Sequence, residues 1–174
     1  IGMDHFALPE DEMGSALESG TLWRNFMGYT VRHAPDTVAC GMSAIGDVAG
    51  AFVQNDSKLI RYLEMVERGG LAVTRGYLLT PDDLLRRHVI TSLMCTLSLN
   101  LEDLAEKFAI EPRRHLAVEL DELRTFEEDG FLTFEGDRIR VVGLGRLFVR
   151  NICMVFDAHL RASQDSKPRF SRTV

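Results

Sequence analysis

The rhythm of apolar and polar positions changes near residue 55. Before it, apolar residues are interrupted by glycines, aromatics and small side chains. Only Glu10 to Ser19 reads as a short helix, stopped by Gly20. After it, the period becomes helical. Leu59, Ile60, Leu63 and Val66 fall on one helix face, with Asp56 or Ser57 as cap and Gly69 as stop. The run Leu71 to Leu79 predicts a strand. Thr80, Pro81 and the acids Asp82 and Asp83 announce the next helix. Asn100 caps "LEDLAEKFAI", and Pro112 opens a helix that runs to Gly130. "FLTFEGDRIRVV" predicts a hairpin turning at Glu135, Gly136 and Asp137. A final amphipathic helix would carry Leu144, Phe148, Ile152, Val155 and Phe156 on one face.

These elements predict an α+β fold, mainly α, divided into residues 1–55 and 56–174. The opening "IGMDHFALP" is the pattern of a strand emptying into a loop. Its expected neighbours are strands of a sheet begun upstream. From residue 81 the order is three helices, a hairpin and a helix, which is the order of a winged helix. Charge argues against DNA binding. The segment Glu111 to Gly130 holds seven acids against three arginines, and such a helix repels phosphates.

Composition narrows the classes further. The 174 residues carry a net charge of -6, a poor basis for binding nucleic acid or an anionic membrane. No stretch of 18 apolar residues predicts a membrane span. Cys40, Cys95 and Cys153 lie more than 50 residues apart, which suits reduced thiols and excludes a clustered ligand set. The five histidines form no HxxxH or HExxH pair, so no metal site and no catalytic residue emerges from spacing.

Two stretches remain as chemistry candidates. "WRNFMGYT" sets Arg24 and Asn25 among Trp23, Phe26 and Tyr29. This is either a core strand with one exposed Arg, or a rim of flat apolar faces around a bidentate carboxylate donor. "VACGMSAIGDVAGAF" spaces Gly41, Gly46 and Gly50 among small residues. That permits close backbone approach, but no GK[ST] completes a P-loop.

Taken in order, "IGMDHFALPEDE", "RNFMGYT", "SAIGD…QN", "LLRRHVITSLMC", "GLGRLFVRNICMVFD" and "FSRTV" resemble the C-terminal part of the oxygen-independent coproporphyrinogen III oxidases, a radical SAM family. The resemblance implies that residues 1–55 end a partial (β/α) barrel and wall the active site. Residues 56–174 would form a helical C-terminal domain with a winged-helix-like hairpin. It also implies two S-adenosylmethionine molecules and a [4Fe–4S] cluster in the complete enzyme, whose cluster ligands this chain lacks. The chain alone is therefore expected to be inert. The implied partners are coproporphyrinogen III and the N-terminal barrel, in a monomeric cytoplasmic enzyme. On this resemblance Ile45 falls on an S-adenosylmethionine contact, and Gln54 and Asn55 are candidates for the same ligand. Arg24, Asn25, Tyr29 and the tail residue Arg172 are candidates for the substrate, whose four carboxylates call for arginine. A related haem chaperone and a winged-helix regulator are the alternative classes.

Overall fold

The computed structural model describes residue 1 and residues 5–162. It is a mixed fold of short antiparallel sheets and helices, with one core cluster. The chain enters through helix α1 (Glu12–Glu18), and then folds "WRNFMGYT" into a hairpin. Strand β1 (Trp23–Asn25) pairs with β2 (Gly28–Thr30), placing Arg24 opposite Tyr29. Phe26 and Met27 occupy the tip, exposed. The Asn25 side-chain oxygen accepts the Met27 N–H at 2.8 Å, and Gly28 adopts φ 133°. The stretch has neither sustained strand alternation nor helical period because two three-residue strands are separated by a turn at Phe26 and Met27.

A second sheet joins β3 (Ile45–Val48), β4 (Ala51–Asn55) and β5 (Val73–Leu78), all antiparallel. The compositional division at residue 55 runs through this sheet, since β5 pairs with β4 from beyond it. Between them lies α2 (Leu59–Glu67), where Asp56 receives the Lys58 N–H but Lys58 holds the cap position. Its apolar stripe faces outward, and no residue of α2 is buried.

The core is built from α3 onward. Helix α3 (Pro81–Thr96) begins with a full capping box: the Asp83 N–H donates to the Thr80 hydroxyl, and the Asp83 carboxylate accepts the Thr80 N–H. It buries Leu85, Val89 and Leu93, spaced one turn apart. Strand β6 (Ser98–Asn100) follows, and Asn100 caps α4 (Leu101–Phe108) as expected. The helix opened by Pro112 is broken into α5 (Pro112–His115) and α6 (Ala117–Glu128). The break falls at Leu116, φ -108° and ψ 27°, a fully buried residue; packing overrides the local helical pattern there. Strands β7 (Leu132–Glu135) and β8 (Arg138–Val141) turn through Gly136, with β6 completing the sheet.

The single closing helix expected from the sequence is likewise divided, into a 3-10 turn (Gly143–Arg146), α7 (Val149–Met154) and α8 (Ala158–Ala162). A Cβ at Gly145 would lie 1.9 Å from the Phe131 carbonyl oxygen, so this turn presses directly on backbone. Val149, Ile152 and Phe156 face the core, while Leu144 stays exposed. Among the described residues no helix is long and apolar enough to cross a membrane.

Candidate functional site

Two cavities flank α3, of about 420 and 430 Å³. Ile90, Thr91 and Asp157 line both. Helical spacing accounts for the arrangement: Asp83, Arg87, Ile90 and Met94 succeed one another on one face of the helix. The β1 hairpin closes one side, and the β4–β5 face closes the other.

The hairpin-side cavity receives Arg24 and Asn25 from β1, Met94 from α3, and Arg150, Cys153 and Met154 from α7. Arg24 stands with its guanidinium 5.4 Å from the centre of the Tyr29 ring. Tyr29 is itself buried, and its hydroxyl donates to the Met94 carbonyl at 3.1 Å. Tyr29 thus locks the hairpin to α3 and supports Arg24 from below. His5 meets the same ring edge-on at 5.0 Å. Of the substrate candidates, the structure brings Arg24 and Asn25 into the cavity; Tyr29 lies behind it, and Arg172 lies outside the described residues.

The sheet-side cavity is more self-contained. Arg86 donates to Asp82 and to the buried Glu119, both within 2.7 Å. Arg87 forms a two-bonded pair with Asp47 of β3 and lies over the Phe52 ring. Asp83 collects the Thr80 hydroxyl and backbone N–H, the Tyr77 hydroxyl and the His159 ring. Those donors, chiefly Thr80, hold its carboxyl far below the usual range, while the hydrogen bond to Asp83 raises the Tyr77 phenol.

Ile45 lies on the edge strand of the second sheet, paired with Gln54 and partly exposed. It offers an apolar surface of the kind an adenine or ribose face needs. The amide nitrogens of the other two candidates are engaged within the chain. Gln54 donates to the Ser43 carbonyl at 3.3 Å, and Asn55 to the Gly41 carbonyl at 2.9 Å. Together they frame the loop ahead of Ile45.

The cysteines do not fit an iron–sulfur cluster. Burial pushes the Cys95 thiol to about 11 and the Cys153 thiol to about 12, and Cys40 is exposed elsewhere. Among the described residues no three His, Cys, Asp or Glu side chains gather to hold a metal. Sequence reasoning missed Arg150, Met94 and Thr91. No short-range signal marks them, because only the packing of α7 on α3 brings them to β1.

Residues 79–148 match the model of the HemN C-terminal domain. Over all 174 residues the chain is 42% identical to the oxygen-independent coproporphyrinogen III oxidase of Pseudomonas aeruginosa, spanning 37% of that protein. It is 38% identical to the Escherichia coli protein of the same name, again over its full length and 38% of the relative. A solved structure of coproporphyrinogen III oxidase (HemN) from Escherichia coli, described as a radical SAM enzyme, superposes with a TM-score of 0.88. The match is 39% identical and covers 91% of this chain and 37% of the other. Residues 79–148 are thus similar to the HemN C-terminal domain, and the whole chain, spanning under two fifths of these relatives, is similar to a part of the oxygen-independent coproporphyrinogen III oxidases.

Proposed function

We propose that this chain is the C-terminal part of an oxygen-independent coproporphyrinogen III oxidase. The enzyme would be a cytoplasmic monomer of the haem pathway that works without oxygen. The carrying observation is similarity that spans every residue of the chain, including the hairpin that presents Arg24. Residues 1–55 end the barrel and wall the active site, and residues 56–174 form the C-terminal domain, with β5 crossing between them. The unit of α4, α5, α6 and the β7–β8 hairpin resembles a winged helix used for packing. Its acids support this reading: Glu119 pairs with Arg86, Glu122 with Arg161 and Glu127 with Arg124, so they serve internal ion pairs.

In the complete enzyme, a [4Fe–4S] cluster and two S-adenosylmethionine molecules supply the hydrogen-abstracting radical, and the cluster is held outside the residues described. This chain's residues have other tasks. Arg24 binds a substrate carboxylate through its planar fork, and Asn25 and Arg172 add polar contacts. Tyr29 keeps Arg24 aimed. Ile45 offers an apolar contact to S-adenosylmethionine, while Gln54 and Asn55 hold the loop beside it. Each propionate that loses a hydrogen atom, CO₂ and one electron becomes a vinyl group. Two such losses convert coproporphyrinogen III to protoporphyrinogen IX.

The test is anaerobic turnover by the complete polypeptide, loaded with cluster and S-adenosylmethionine. Divinyl product with two CO₂ released per substrate is the expected result. Loaded enzyme that leaves coproporphyrinogen III untouched overturns the reading.

A further inference from the structure

The two cavities beside α3 differ in how their cations are satisfied. On the sheet side Arg86 and Arg87 both have carboxylate partners. On the hairpin side Arg24 and Arg150 share one cavity, and neither has an ion-pair or hydrogen-bond partner among the described residues. In a chain of net charge -6, carboxylates are plentiful, yet among the described residues none is paired with these two guanidiniums. The acid in the same lining, Asp157, accepts the Leu160 N–H on Oδ1 at 2.8 Å and is bonded to neither arginine.

The framework around both arginines is fixed. Arg24 rests over Tyr29, which is tied to Met94. Arg150 rises from α7, whose Val149, Ile152 and Cys153 are buried against the core. The same cavity is lined by Ile90, Met94 and Met154, an apolar and, through the methionines, adaptable surface. Two like charges held in one concave apolar site repel each other, and an anion set between them removes that cost. A planar carboxylate suits two forks better than a point cation would suit it.

We infer that Arg24 and Arg150 are the two arms of one carboxylate receptor, which takes an acidic side arm of a flat apolar ligand and seats its body on Ile90, Met94 and Met154. The inference rests on the function proposed above. It adds Arg150, and it places the receptor between the β1 hairpin and α7.

The test is a titration of the 174-residue chain with coproporphyrin III, a stable tetracarboxylate, read by the emission of Trp23. This is the only tryptophan, and it is adjacent to Arg24 in the chain. Saturable quenching is expected. Arg150→Gln and Arg24→Gln should each weaken it by about tenfold or more. Arg150→Lys keeps the charge without the fork and should fall between. Arg161→Gln, whose arginine is paired with Glu122, should bind like the parent chain. The tetramethyl ester of coproporphyrin should show no dependence on residue 150. Circular dichroism of each variant separates lost binding from lost fold, and the Lys variant reports if Gln disturbs α7. Parent-like affinity in folded Arg150→Gln overturns the receptor and leaves the proposed function standing. Absence of saturable quenching in the parent chain overturns the receptor too, whereas failure of the turnover assay alone overturns the function.

Discussion

Helices α2 and α6 both carry apolar residues at helical spacing, and the more clearly striped of the two, α2, is the one left unburied. On α6, Leu123 has no accessible surface, and its neighbours Leu116, Leu132 and Ile139 are equally sealed. On α2, Leu59, Ile60, Leu63 and Val66 are between 45% and 73% exposed. The same contrast separates the two halves of the chain. From α3 onward the elements share one core, to which the described residues before it contribute only Ala16, Leu22 and Tyr29 as buried members. The front sheets, of two and three strands, are too small to bury their own faces. An apolar stripe thus states that a face is available for burial, and the surrounding elements decide what meets it.

The sharpest way to break the comparison is a pair of truncations. Leu123→Ala should cost about 2–5 kcal/mol, and Leu63→Ala less than about 0.5 kcal/mol. Chemical denaturation of the two variants measures both. Equal losses would mean that α2 is packed in solution. Gly136→Val probes the back half through backbone alone. Gly136 has φ 65° and nothing within 4 Å of an added Cβ, so strain is the only cost, about 1–2 kcal/mol. A denaturation midpoint unchanged from the parent would remove that explanation.

Asp47→Ala cuts the tie between the front sheet and α3. The pair is partly open to solvent, so global stability should fall by about 1 kcal/mol or less. Hydrogen exchange should quicken selectively in residues 45–55, and uniform quickening would show that the halves are one cooperative unit. The smallest effect is a slope. Asp83 joins α3 to Tyr77 of β5 and His159 of α8, and its folded carboxyl is depressed. Its contribution is complete above the ordinary carboxylate range near pH 4 and is lost progressively as pH falls below it. Asp83→Asn should lower stability at pH 7 and flatten the decline between pH 4 and pH 2. An unaltered acid limb would show that the Asp83 cluster is not formed in solution.

Legibility followed the range of the forces involved. Caps and turns are local, and Thr80, Asn100, Gly130 and Gly136 do in the structure what their neighbours in sequence imply. The breaks at Leu116 and near Gly145 were hidden, because both answer to distant contacts: the buried Leu116 and the Phe131 carbonyl. The candidate site divides the same way. Arg24 was visible through its aromatic company. Arg150 was not, since its relation to Arg24 exists only after α7 has packed on α3.

The turn at Gly145 limits how this sequence can drift. With a carbonyl oxygen 1.9 Å from where a side chain would begin, even alanine would force Phe131 and the strand that follows it to move. Codon randomisation followed by selection for a folded product should return glycine at 145 nearly alone, while Leu144 and Leu147 beside it, both largely exposed, accept wide replacement. One position without a side chain fixes the path by which α7, and with it Arg150, reaches the cavity.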